Sequence, residues 1–225
     1  MKLLTTLIIT LIALIPAHAE KNEVSGYIQF GDNIVQGFYA GINGFYKRQM
    51  SSRFDLTGGL SFSTKNPQGF GGIMADGTYR IPVNRANFLI SNRLVYNYYG
   101  AFNMNEFLYR LAVTWQTRYV EFTLGNSFLT YFSLGSHVFE PITWSVGFAA
   151  HLKPRECSWN IGLYIKNFDD FIYENYNINF GFDGRYRILK NWDIFGILMV
   201  RPAGSMNQLA VKYDTSFKLG VKYKW

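Results

Sequence analysis

The sequence predicts an all-β fold, a closed antiparallel transmembrane β-barrel of about twelve strands behind a cleaved signal peptide. Three observations carry that prediction. The chain of 225 residues is 48% hydrophobic and 18% aromatic, yet its mean hydropathy is only −0.03. Bulky apolar residues alternate with small or polar ones over nearly its whole length, the period of a strand with two unlike faces. An apolar stretch softened only by Thr5, Thr6 and Thr10 lies at the amino terminus. A polytopic helical protein needs apolar runs of about 20 residues and would raise the mean hydropathy well above zero. Disorder does not fit 20 Phe, 16 Tyr and 5 Trp. In a soluble sandwich the bulky faces would need a second bulky sheet against them.

The elements follow in order. Lys2 precedes an apolar stretch over residues 3–15, then Pro16 and Ala17-His18-Ala19, whose small residues suit a signal peptidase. Cleavage after Ala19 leaves residues 20–225 as the barrel, exported by the Sec route. Strands are expected over residues 24–30, 34–47, 53–64, 70–81, 87–99, 104–117, 118–130, 141–152, 157–168, 174–188, 191–201 and 211–225. The first has the weakest pattern; without it, and with a merge elsewhere, the count falls to the alternative of ten. Residues 53–63 set Phe54, Leu56, Leu60 and Phe62 against Asp55, Thr57, Ser61 and Ser63. Residues 106–117 set Phe107, Tyr109, Leu111, Val113 and Trp115 against Glu106, Arg110, Thr114 and Gln116. Short or basic connections (47–52, 82–85, 117–118, 153–156, 189–191) alternate with longer ones (131–140, 169–174, 202–209), which places the long loops outside.

The chain ends on Phe217, Leu219, Val221, Tyr223 and Trp225, alternating with Lys218, Gly220, Lys222 and Lys224. This end resembles the carboxy-terminal signature of Gram-negative outer-membrane β-barrel proteins. The resemblance implies recognition by the barrel assembly machinery and residence in the outer membrane, with its lipids as partners. Trp115, Tyr119, Trp144, Trp159, Tyr186, Trp192 and Tyr223 fall toward strand ends, as aromatic girdles at the headgroup level would.

With the bulky face on lipid, the inward ionisable residues include Asp55, Asp76, Arg80, Arg93, Glu106, Arg110, Glu121, Lys166, Asp183, Arg185, Arg187 and Asp193. Arg80, Arg93, Arg110, Glu121, Lys166, Asp183 and Arg185 are the candidate pore-lining set. Eight strands leave a filled interior and sixteen an open channel, so twelve permit a narrow pore. Inward Gly and Ser favour space over a solid core. The leading reading is a porin-like passive channel for small polar or anionic solutes. Two alternatives stand beside it. A lipid-modifying enzyme would draw on Ser136, His137 and Glu140 in the external loop 131–140, with His151 a lumen hydrogen-bonder. A structural or adhesive barrel would use loops 131–140 and 169–174 and a plugged lumen. No cofactor or metal motif is present, Cys157 is a lone cysteine, and dispersed Lys and Arg under a net charge of +7 give no nucleic-acid patch.

Overall fold

The computed structural model describes residues 21–33, 37–64, 70–100, 103–133, 136–154, 156–171, 178–202 and 212–225. The expected signal peptide, residues 1–19, lies outside them. Among the described residues the elements are β1 (Lys21–Asn33), β2 (Gly37–Gln49), β3 (Phe54–Ser63), β4 (Phe70–Val83), β5 (Ala86–Tyr99), β6 (Met104–Gln116), β7 (Val120–Ser133), β8 (Ser136–His151), β9 (Trp159–Lys166), β10 (Asn179–Leu189), β11 (Trp192–Pro202) and β12 (Lys212–Lys224). Each pairs antiparallel with its neighbours in the chain, and β1 also pairs with β12, so the sheet closes on itself. An even strand number brings the start of β1 and the end of β12 to the same mouth of the barrel. Asn22 and Trp225 exchange backbone hydrogen bonds of 2.8 and 3.1 Å there. We call that the terminal end and the opposite side the loop end.

Closure satisfies the strand backbones by pairing and leaves the alternation to sort side chains. Ile42, Leu60, Leu94 and Phe182 are more than half exposed on the outside, while Asp55, Asp76, Asn97 and Arg110 are buried inside. Apolar outside and charged inside is the reverse of a water-soluble protein and suits a hydrocarbon surround. Trp115, Tyr119, Trp159, Tyr186, Trp192 and Tyr223 ring the terminal end, where Tyr223 stacks on Trp225 at 5.5 Å. Trp144 lies near the middle of β8 instead. Phe30, Phe38, Phe62, Tyr98 and Phe132 supply the aromatics of the loop end. Asn84, at φ 52°, turns β4 into β5 with Arg85, a left-handed position that Asn tolerates.

Four expectations change. The weak first strand is a full element of 13 residues paired on both sides, which rules out ten strands. Its pattern was faint because Gly26 interrupts the bulky outer face. Residues 131–140 are not a long loop, because β7 runs to Ser133 and β8 starts at Ser136. A register shift between Ser127 and Leu129 flips the inward parity part-way along this hairpin, and a period-two reading stops where the parity flips. β10 begins at Asn179, not 174; residues 174–177 lie outside the described ones. Finally, residues 169–171 of the expected outer loop 169–174 turn into the barrel, together with Phe168 before them.

Candidate functional site in the barrel lumen

The lumen is layered. At the terminal end, carboxylates and cations on the inner face pair around the mouth. Asp55 takes Lys47 at 2.8 Å and Arg80 at 3.4 Å; Asp193 takes Arg187 at 3.1 Å and Lys224 at 3.2 Å; Glu23 takes Lys222 at 3.1 Å. Gln116 donates to Glu121. The cations of these pairs are partly solvated, so each pair contributes at most about 1 kcal/mol. Above them is a cavity of about 370 Å³, lined in part by Tyr27, Phe45, Met74, Arg93, Asp183 and Arg185, with Asp170 in its wall.

The middle of the lumen is crossed by residues 168–171. Asn167 anchors the crossing by accepting from Val146 N at 2.8 Å and donating to Trp144 O at 2.7 Å, which ties it to β8. Phe168 then turns inward beneath the Arg110 guanidinium, 4.2 Å from its ring centre. Asp169 receives Lys218 Nζ on both oxygens, at 2.9 and 2.7 Å. Lys166 lies 3.8 Å away. Burial alone would push the Asp169 carboxyl up, but the Lys218 and Lys166 ammoniums outweigh it and hold the group well below the usual carboxylate range. Asp170 accepts from Tyr27 Oη at 2.9 Å, and its backbone carbonyl accepts from Arg93 Nη1 at 3.2 Å. Phe171 donates nothing but shape: its carbonyl accepts from Asn97 Nδ2 at 2.9 Å, and its ring packs with Met74, Val95, Leu108 and Leu129. The segment therefore reaches from β9 to β1, β5, β6 and β12, across the bore.

Toward the loop end the inner face tightens into a buried polar network. Tyr39 Oη donates to Asp214 at 2.9 Å, Arg201 Nε donates to Asn179 Oδ1 at 2.7 Å, and Asn97 Nδ2 donates to Glu106 at 2.6 Å. The expected spare room is partly taken. Tyr39 lies over Gly31, Tyr164 over Gly181, Phe195 over Gly220 and Phe45 over Gly59, each ring covering the glycine directly opposite on the next strand. The glycines accommodate rings, not solvent.

All seven candidate residues face inward, but not as one set. Arg80 and Glu121 belong to the terminal mouth. Asp183 and Arg185 line the cavity, with Arg185 donating to Cys157 O at 3.0 Å. Arg93, Arg110 and Lys166 converge on residues 168–171. Arg93 is neutralised on its other side by Asp76 at 2.7 Å. Sequence reasoning missed Lys218, which it assigned only to the assembly strand, and the Asp169–Asp170 pair. Their signal was the acidic pair flanked by Phe168 and Phe171, an unusual core for a solvated loop. Of the enzyme candidates, Ser136 and Glu140 are strand residues of β8 whose side chains lie outside the described ones. His137 lies at the start of β8, stacks on Phe132 at 4.6 Å and contacts Thr130 Oγ1 at 2.8 Å. His151 lies on the inner face at the far end of the same strand, opposite Gly162.

No protein-family model and no curated protein matches the chain. Solved structures do. The KdgM porin in complex with oligogalacturonate matches with a TM-score of 0.59 at 12% identity, over 89% of this chain and 98% of that one. The fold is that of the outer-membrane β-barrels. The barrel is also similar to an outer-membrane channel from Pseudomonas putida F1, at TM-score 0.57 and 11% identity, over 93% of this chain and 99% of that one. The translocator domain of the autotransporter NalP from Neisseria meningitidis matches at 0.56 and 13%, over 99% and 95%. At these identities the likeness is one of fold, and what the barrel does must be argued from its lumen.

Proposed function

We propose that the mature chain, residues 20–225, is a passive outer-membrane channel for small polar solutes, anionic or neutral, whose bore is held narrow by residues 168–171. The observation that carries this reading is the charged cavity of about 370 Å³ that lies directly beneath that inward segment. A barrel serving only as a scaffold gains nothing from ionisable groups kept at a cavity, because each costs desolvation unless it is paired. A porin of like fold is known in complex with oligogalacturonate, which supports polar solutes as cargo. Signal peptide, Sec export, lipid surround and recognition of Phe217, Leu219, Val221, Tyr223 and Trp225 by the assembly machinery belong to the same reading. The adhesive alternative loses its motive, since residues 131–133 and 136–140 are strand and 169–171 point inward. The lipid-enzyme alternative loses the external loop it placed His137 in.

Single-channel recording of refolded residues 20–225 tests the proposal. Discrete conductance steps are expected, and Phe171→Ser, which removes the apolar anchor of the crossing segment, should enlarge them about two-fold or more, on the geometry of a wider bore. A bilayer that stays silent with both proteins overturns the channel reading.

A further inference from the structure

We propose that the cationic pocket gripping Asp169 and Asp170 is a binding site for a small dianion, and that these two carboxylates occupy it as tethered stand-ins. The proposal rests on the channel reading only for the solute's access to the lumen. Four cations from three walls surround the pair: Lys218 from β12, Lys166 from β9, and Arg93 and Arg110 from β5 and β6. Lys218 grips Asp169 and lies 4.0 Å from Asp170. Arg93 reaches the Asp170 carboxylate only at 4.0 Å and gives its hydrogen bonds to Asp76 and to the Asp170 backbone carbonyl instead.

Arg110 is the telling member. It is 5% exposed, and among the described residues its Nε has no hydrogen-bond partner and no carboxylate stands within ion-pair distance. It sits directly opposite Arg93 in the strand register, so two like charges face each other across the β5–β6 pair. A buried guanidinium beside another cation is unfavourable unless an anion is shared between them. The segment offers Arg110 the face of Phe168, which leaves the buried Nε without a hydrogen bond. A free ligand with two oxyanion groups, spaced like neighbouring aspartates, would engage Lys218 with one group and the Arg93–Arg110 pair with the other. It would have to displace residues 169–170 to do so, and the segment therefore lowers the apparent affinity.

Calorimetric titration of the refolded full mature chain with succinate, at fixed low salt, tests this. The Asp169→Asn/Asp170→Asn double variant should bind succinate about ten-fold tighter than the parent, because the internal competitor is weakened. Arg110→Gln should bind about ten-fold weaker, and Arg110→Lys should fall between, keeping charge but losing the fork. Acetate should bind about ten-fold more weakly than succinate, since it can engage only one half of the pocket. Should the double variant fail to fold, Asp170→Asn alone keeps the Lys218–Asp169 bridge and should still gain affinity. The site is overturned if the Asn variants gain nothing, if Arg110→Gln binds as the parent does, or if the exposed Glu156→Gln gains as much, which would make the effect one of net charge. Succinate binding by a protein that passes no current supports the site and sinks the channel reading. Current without succinate binding overturns the site and leaves the channel standing.

Discussion

A carboxylate buried against an ammonium is held by charge, and Asp169 shows how far such a grip extends in pH. Burial raises the carboxyl but Lys218 and Lys166 lower it more, so its value in the folded barrel lies below its value in the unfolded chain. A depressed value stabilises fully above the unfolded-state value of 3.8 and is lost only as pH falls through the folded-state value. Acidification from neutrality to about pH 4 should therefore leave residues 168–171 in place, and the conductance per channel should stay constant over that range. A step increase on mild acidification would show that Asp169 is not held this way. Removing the cation is another matter: Lys218→Met strands Asp169 in the lumen and should cost about 3 kcal/mol in urea unfolding. At this scale the sequence showed which residues point inward, since parity decides that for Arg93, Arg110 and Lys166. It did not show that Lys218 meets Asp169, because parity carries no information about which loop enters the bore.

At the scale of the strand pair, the inner face is built by rings lying on glycines. A Cβ at Gly181 would overlap the Tyr164 ring, and one at Gly220 would overlap Phe195. Gly181→Ala should destabilise the barrel by about 1–3 kcal/mol, read as a lower urea midpoint, because a close-packed ring must leave its rotamer. Tyr164→Leu alone should also destabilise, yet combined with Gly181→Ala the losses should fall short of additive, since the second change removes the clash created by the first. Strict additivity would mean that the ring and the glycine are not coupled. The strands themselves were legible almost throughout, because β3, β6 and β9 keep a single parity from end to end. The β7–β8 hairpin was truncated in the sequence reading because the shift between Ser127 and Leu129 breaks that parity, and Pro141 adds a residue that cannot donate to the ladder.

At the scale of the molecule, the barrel is a shell with opposite demands on its two faces. Leu111, 42% exposed on the outside of β6, lies next to Arg110, 5% exposed on the inside. Leu111→Arg should lower stability in a bilayer by about 2–4 kcal/mol, as a cation near mid-depth on the lipid face does, while the same change in a detergent micelle should cost less. Equal costs in both media would show that this face does not meet hydrocarbon. The cancellation of the two faces is also why the mean hydropathy of −0.03 hides so apolar an outer face, and why the fold class was legible where the contents of the lumen were not. The seam between β1 and β12 has a kinetic meaning as well. Its partners, such as Asn22 and Trp225, stand at opposite ends of the chain, so it has the greatest sequence separation of any strand pairing in the barrel. Contacts of that kind form slowly because the loop they close is long. Until they form, β1 and β12 are both bare edges, able to pair with another polypeptide. A slow seam sets how long the unfinished sheet is open to wrong partners, so a damaged last strand would show first as aggregation during folding.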